Sequence, residues 1–329
     1  MKPCIAVTLP ESDPNFLMEE RQRLREFADV RQIDTDKRPT DEQKLEIMKD
    51  ADCAVLGRGG GGLTKEIIEA CTALRVVGVI GGSVRQMEPE LLLDRGVTLI
   101  NTAYAMTDAV AEFNLALILN SLRDLSHMIE VTREEGWGQA RGEPKNLKEK
   151  TVALIGFGLI ARRLREILKP FHCPVLVVDP YLPAEAAEEN YVTVVPLDDA
   201  LAQADVISLH AGLTPETEGM IGRRELGLIR DGALIVNTAR GKLIDEQALA
   251  EELKTGRIFA SLNVFAKEPL PMDSPLRGLP NVVLTPHGAG KTIDTWRIQS
   301  RMIVDDLHRF FNGETPESLV TRDMLKRMT

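Results

Sequence analysis

The chain has 329 residues, 43% of them hydrophobic and 27% charged, a globular composition with length for two domains. Its net charge of −10 argues against nucleic acid as a partner. No apolar run approaches the ~18 residues of a membrane span, and the first residues, MKPCIAVTLPESD, lack the apolar core of a signal peptide.

Residues 4–9 read as a first strand. Asp13-Pro14 opens a helix, with Asp13 as N-cap, and Thr40-Asp41-Glu42-Gln43 is a capping box for a second. A strand at 54–56 runs into Gly57-Arg58-Gly59-Gly60-Gly61-Gly62, and Thr64 caps a helix through Cys71. A strand at 76–80 runs into Gly81-Gly82-Ser83-Val84-Arg85. A helix at 89–95 and a strand at 97–100 follow. This alternation implies a parallel sheet, with both glycine loops at its carboxyl edge, where open α/β sheets bind ligands. Residues 108–134 keep helical spacing through Val110, Phe113, Leu117, Ile118, Leu122 and Leu125. A helix of that length reaches beyond its own domain, and its apolar face suits a homodimer. Residues 136–150 form a polar connection.

Residues 151–180, TVALIGFGLIARRLREILKPFHCPVLVVDP, read strand, glycine turn, helix, strand. Gly156-Phe157-Gly158-Leu159-Ile160-Ala161 fits G-x-G-x-x-G/A. Gly156 permits the tight turn. Gly158 lets a pyrophosphate approach the helix N-terminus, and Ala161 keeps the helix close to the sheet. Asp179 stands about 20 residues on, at the end of the next strand, where a carboxylate accepts both ribose hydroxyls. Its charge opposes a 2′-phosphate, and Pro180-Tyr181-Leu182 brings no cation, so NAD is expected over NADP. A bare glycine turn of this kind also occurs in other α/β proteins, such as methyltransferases. Here the flanking strands and the acid are in register with it.

Alternation then resumes, with strands at 192–195, 206–209, 233–236, 259–265 and 282–284 and helices at 197–203 and 223–229. A further helix, capped by Asp245, runs to Lys254 and is closed by Gly256. The last helix, 292–312, is expected to cross back and cover the first domain. The architecture is α/β, two doubly wound parallel-sheet domains with a cleft between the sheets. Residues 102–292 form a dinucleotide-binding domain inserted into a flavodoxin-like domain of residues 1–101 with 293–329. Cys4, Cys53, Cys71 and Cys173 have no metal-like spacing and read as reduced thiols, so no metal and a cytoplasmic setting are expected.

Three residues stand just past strand ends: Arg240 after LIVNTA, Glu268 after SLNVFAK and His287 after VVLTP. Singly, each has an ordinary reading as a surface charge, a solvated acid and a turn histidine. Together they converge on the carboxyl edge of the sheet that holds the dinucleotide.

With GFGLIA and Asp179, HAGLTPETEGMI, LIVNTARG, SLNVFAKEPL, LTPHGAG and VAEFNLALIL, the chain resembles the D-isomer-specific 2-hydroxyacid dehydrogenase family, which includes phosphoglycerate dehydrogenases and hydroxypyruvate reductases. The first 100 residues resemble it in element order more than in motif. The resemblance implies hydride transfer between NAD(H) and a small 2-hydroxy or 2-oxo acid. Arg240 would bind the substrate carboxylate and keto oxygen. His287 would be the general acid and base. Glu268 would orient the ring and favour its protonated form. Gly156, Gly158, Leu159, Ile160, Asp179, His210, Ala211, Thr238, Ala239, Arg240, Asn263, His287 and Gly290 would line NAD. Gly82, Ser83, Val84 and Arg85 would meet the anionic substrate.

Two departures stand out. Asn263 replaces the Asp usual in the family and would face the nicotinamide carboxamide; it keeps an acceptor, adds donors and removes a charge near Arg240 and His287. The 81–85 loop replaces the usual G-x-G-x-D, which leaves the substrate unnamed. With the last residue at Thr329, the extra C-terminal regulatory domain of some phosphoglycerate dehydrogenases is not expected. Alternatives are an NAD(H)-sensing corepressor, which shares the fold and these residues, and oxidation of another small anion such as formate or phosphite.

Overall fold

The structure is a computed structural model that describes residues 2–57, 59–134 and 136–326. Arg58 of the first glycine loop, Met1 and residues 327–329 of the domain ranges, and Glu135 lie outside the described residues. The chain divides into two compact units, Met1–Met106 with Lys291–Thr329, and Thr107–Gly290.

In chain order the first unit holds β1 (Cys4–Val7), α1 (Met18–Phe27), β2 (Asp29–Gln32), α2 (Asp41–Met48), β3 (Cys53–Gly57), α3 (Lys65–Ala70), β4 (Val76–Ile80), α4 (Pro89–Asp94) and β5 (Thr98–Asn101). The second unit opens with α5 (Thr107–Arg123) and α6 (Leu125–Glu134). It continues through β6 (Val152–Ile155), α7 (Leu159–Leu168), β7 (Val175–Val178), α8 (Ala184–Glu189), β8 (Thr193–Val194) and α9 (Leu197–Gln203). It closes with β9 (Val206–Leu209), α10 (Arg223–Leu228), β10 (Leu234–Asn237), α11 (Glu246–Lys254), β11 (Phe259–Leu262) and β12 (Val282–Leu284). The chain then returns to the first unit as α12 (Ile293–Phe311) and α13 (Arg322–Leu325).

Among the described residues the first unit's sheet has the order β2-β1-β3-β4-β5, all parallel, the flavodoxin-like winding. Successive strand residues point to opposite faces, and both faces are apolar because both are covered. Ala54, Leu56, Val77 and Val79 pack toward Met48, Ile68 and Leu92. Ile5, Val7, Val55 and Val76 pack toward Leu24, Ile303, Val304 and Leu307. So α12 does cover the first sheet, lying against β4 and α1. Gly78 permits that approach, since a Cβ there would stand 2.7 Å from Ile303 Cδ1.

The second unit's sheet has the order β12-β11-β10-β9-β6-β7-β8, again parallel, and contains the doubly wound dinucleotide-binding order. One face buries Ile155, Ile207, Ile235 and Leu262 under Leu201, Leu226 and Leu249. The other buries Leu154, Val177, Val206 and Val236 under Leu117, Ile118, Leu164 and Leu168 of α5 and α7. No helix among the described residues is long and apolar enough to cross a membrane.

Two local expectations are corrected, and two elements are added to those expected. Asp13 does not cap a helix: its carboxylate accepts from the Asn15 N–H at 2.8 Å in a turn, and α1 begins only at Met18. The strand β2, DVRQ, was not expected because it is a polar, largely exposed edge strand with no apolar run. The short α8 was likewise not expected. The helical pattern over 108–134 is two helices, broken at Asp124, which takes φ 50°. Asp tolerates the left-handed region, and here its carboxylate accepts from the Arg141 N–H at 2.6 Å and its guanidinium at 2.8 Å.

Candidate active site

The sheet of the second unit presents its strand ends to one edge. At β6 the chain turns through Gly156, with φ 91°. A Cβ there would stand 2.7 Å from Ala211 N and 2.9 Å from His210 C, so glycine is required by both conformation and space. Gly158 is the N-cap of α7, with no side-chain cap and no atom within 4 Å of where its Cβ would be. The first N–H groups of α7 thus have no side-chain cap and the space beside Gly158 is open, the setting that receives an anion. Leu159 beside them is 54% exposed, and Ile160 is half-buried. At the end of β7, Asp179 accepts from the Phe157 N–H at 2.7 Å and from the Tyr181 N–H at 2.8 Å. Each carboxylate oxygen keeps lone-pair capacity for a hydroxyl donor. The nearby cation Arg162 is held against Phe157, donating to its carbonyl at 3.2 Å and lying 4.9 Å from its ring centroid.

After β10, Asn237 shapes the loop that carries Arg240. Its Nδ2 donates to the Arg240 carbonyl at 2.9 Å, and its Oδ1 accepts from the Ala239 N–H at 3.0 Å. Arg240 Nη1 donates to the Ala239 carbonyl at 2.7 Å. Burial works against the guanidinium's charge, and the Glu268 carboxylate works in its favour. Gly241 follows with its Cα against the Phe265 and Ala266 backbone, where any Cβ would collide. That close approach brings the loop bearing Arg240 beside the one leading to Glu268.

Glu268 Oε1 accepts from the Phe265 N–H at 3.1 Å, and Oε2 pairs with His287 Nδ1 at 2.6 Å. With the carboxylate as acceptor, Nδ1 carries the hydrogen and Nε2 is left for exchange. The ring is part exposed, 39% by side chain. His287 sits at φ 43°, an uncommon left-handed conformation for a residue other than glycine. Its N–H donates to the Asn263 carbonyl at 2.9 Å. Asn263, 1% exposed, donates its own N–H to the Asn237 carbonyl at 2.9 Å. Gly290 is buried at the end of the same stretch.

A buried polar chain crosses beneath this edge. His210 Nε2 meets Ser208 Oγ at 2.9 Å, and Ser208 Oγ donates to Asn114 Oδ1 at 2.9 Å. Asn114 Nδ2 in turn donates to Thr238 Oγ1 at 2.7 Å. Because the serine proton goes to Asn114, Nε2 is the donor in the His210–Ser208 contact. Burial pushes the His210 imidazole down to about 4. Asn114 and Ser208 were not singled out from sequence. Their signal was a polar side chain on the apolar face of α5 and another inside the strand VISL.

The first unit's glycine loops are themselves tightly constrained. Side chains at Gly60 and Gly62 would collide with Thr8 and with the Gln86 carbonyl. In the 81–85 loop, the Gly81 N–H donates to Thr102 Oγ1 at 3.2 Å, and the Arg85 N–H donates to Ser83 Oγ at 3.3 Å. Gly82 lies beside the Met106 sulfur. Val84 is buried in the apolar core. The Arg85 guanidinium is engaged by Glu90 at 3.2 Å and by the Leu325 carbonyl at 2.6 Å. No cluster among the described residues has the makings of a metal site.

The model of the D-isomer specific 2-hydroxyacid dehydrogenase NAD binding domain matches residues 115–289. D-3-phosphoglycerate dehydrogenase of Methanocaldococcus jannaschii is 36% identical over 283 residues, 85% of this chain and 54% of that protein. Glyoxylate/hydroxypyruvate reductase B of Yersinia pseudotuberculosis is 31% identical over 331 residues, 99% of each. The chain thus spans about half the length of the first of these relatives and nearly all of the second. Among solved structures, the NADPH-dependent glyoxylate/hydroxypyruvate reductase of Sinorhizobium meliloti, in complex with NADP and malonate, superposes with a TM-score of 0.81 at 25% identity, covering 98% of this chain and 97% of that one.

The buried imidazole makes a pH prediction. His210 is held neutral in the fold, so its contribution to stability is complete above its ordinary value of 6.5 and is lost as pH falls toward about 4. Thermal midpoints recorded from pH 7 to pH 4 are expected to fall more steeply for wild type than for His210→Gln, which keeps an amide donor toward Ser208 but does not titrate.

Proposed function

We propose, for a chain that belongs to the D-isomer specific 2-hydroxyacid dehydrogenase family, that it transfers a hydride between NAD(H) and a small 2-hydroxy or 2-oxo acid. The observation that carries this reading is the Glu268–His287 contact of 2.6 Å in one cluster with Arg240. Nicotinamide, when bound, supplies the hydride chemistry. Arg240 holds the substrate carboxylate, and its planar fork suits a bidentate contact that also polarises the neighbouring keto oxygen. His287 Nε2 gives its proton to that oxygen in reduction and takes it back in oxidation. Glu268 fixes the tautomer and the ring plane through that contact.

The residues present suit the dinucleotide. The open N-terminus of α7 at Gly158 fits a pyrophosphate, and the Asp179 carboxylate fits the ribose hydroxyls. Thr238, Ala239, His210 and Ala211 stand at neighbouring strand ends of the same sheet. Asp179 and the engaged Arg162 favour NAD(H) over NADP(H), unlike the NADPH-dependent relative from Sinorhizobium. The substrate class follows the relatives' names, with glyoxylate and hydroxypyruvate as first candidates. A homodimer through the second unit is part of the same reading. Helix α6 buries none of its residues and leaves Leu125 46% and Ile129 44% exposed. Beside it lies a groove of about 720 Å³, lined by His127, Arg141, Lys145, Phe259 and Pro280 among others. The free cysteines are consistent with a cytoplasmic setting.

A panel of 2-oxo acids with NADH, followed at the nicotinamide absorbance, tests the reading. Turnover on at least one acid is expected, and none across the panel would refute it. His287→Ala is expected to lower kcat by about 10²–10⁴-fold while leaving NADH binding nearly intact. Glu268→Gln is expected to lower kcat more mildly, because an amide holds the tautomer and plane of the His287 ring less firmly than the carboxylate at 2.6 Å. Dissociation constants are expected to favour NADH over NADPH, with Asp179→Ala narrowing the gap. Light scattering at micromolar concentration is expected to give twice the chain mass, and a monomeric mass would remove the dimer.

A further inference from the structure

Asn263 is the least ordinary residue of the cluster. Its backbone ties it to both neighbouring loops, through the Asn237 carbonyl on one side and the His287 N–H on the other. Its side-chain orientation is dictated by chemistry. The Gly288 N–H, 2.9 Å away, is received only by an oxygen, so Oδ1 faces Gly288 and also takes the Thr285 hydroxyl at 3.2 Å. The nitrogen, Nδ2, is buried with no hydrogen-bond partner among the described residues. Most buried side-chain donors in folded proteins are paired, so an orphan among strand-end loops calls for a ligand acceptor.

Resting on the reading of this unit as a nicotinamide dinucleotide site, we propose that Asn263 Nδ2 donates to the carbonyl oxygen of the nicotinamide carboxamide. Asn263 adjoins His287, so the ring that exchanges hydride with a substrate held there lies beside it. That ring's polar substituent is an amide with one acceptor oxygen and one donor nitrogen. The acceptor of Asn263 is already spent on Gly288 and Thr285. Two donors cannot face each other, so the carboxamide turns its oxygen toward Asn263. The Asp usual in the family offers an acceptor there instead and would take the carboxamide nitrogen. Asparagine thus inverts the polarity of recognition. The site reads a carbonyl on the ring and has no need of its amino group.

The test is calorimetric titration of the full chain with NAD⁺ and with 3-acetylpyridine adenine dinucleotide, which keeps the carbonyl and carries methyl in place of the amino group. Wild type is expected to bind the two with dissociation constants within about threefold, the scale of less than one hydrogen bond. Asn263→Asp keeps an acceptor for the Gly288 N–H and removes the donor. It is expected to weaken the analogue relative to NAD⁺ by about tenfold, a full hydrogen bond exchanged for repulsion. An analogue bound more than about threefold more weakly than NAD⁺ by wild type, or a ratio that Asn263→Asp leaves unchanged, would overturn the proposal. The wild-type ratio decides alone should the variant fail to fold. Failure to bind NAD⁺ at all would instead overturn the dinucleotide reading beneath it.

Discussion

The cluster depends on a short run of backbone hydrogen bonds that continues past the edge of a parallel sheet. Asn237 pairs with Leu262, and Leu262 with Leu284, in the last register of β10, β11 and β12. The ladder does not stop there. The Asn263 N–H reaches the Asn237 carbonyl, and the His287 N–H reaches the Asn263 carbonyl. Three loops distant in sequence are thereby locked side by side. Arg240, Glu268 and His287 all lie within a few residues of that lock. Parallel strands make this placement natural, because all their carboxyl ends share one edge. The left-handed conformation at His287 and the crowding at Gly241 are local costs of holding the loops so close, and the apolar sheet beneath offsets them.

Much of this was legible because it reflects backbone demands that leave a mark in residue type. Gly156 and Gly158 are where the chain must turn sharply or stay bare. The runs VLVV and VISL announce strands buried on both sides, and β7 and β9 occupy those residues, while VVL forms β12, a half-buried strand at the sheet's edge. Thr40 caps α2 through a complete capping box, and Asp245 caps α11. What stayed hidden lacks a local mark. DVRQ is a strand only because β1 is there to pair with it. Asp124 breaks a helical pattern because Arg141, seventeen residues on, supplies the partner for its carboxylate. The Ser208–Asn114–Thr238 chain joins residues 94 and 124 positions apart, a separation invisible to any periodicity.

That buried chain also explains why α5 belongs with the dinucleotide unit although it precedes the first strand of the sheet. Its apolar face packs on β10 and α7. Its one buried amide, Asn114, touches the ends of two strands at once, through Ser208 on β9 and Thr238 after β10. The helix therefore sets side-chain orientation at both places, a role that hydrophobic packing alone does not supply. A fully satisfied polar network in a core specifies geometry more than it adds stability.

Asparagine in place of aspartate at 263 fills the same volume, so shape and packing are blind to it, but the electric field is not. The cluster around Arg240 and His287 stands one unit more positive than an aspartate would leave it. Against a chain of net charge −10, that local difference is one unit in a field that is otherwise strongly negative. Salt screens over about 8–10 Å at physiological strength and spares interactions closer than that. Moderate ionic strength therefore quiets the distant surface charge before it touches the local difference at Asn263. A single nitrogen atom in place of oxygen thus alters a local field that physiological salt leaves in place at contact range.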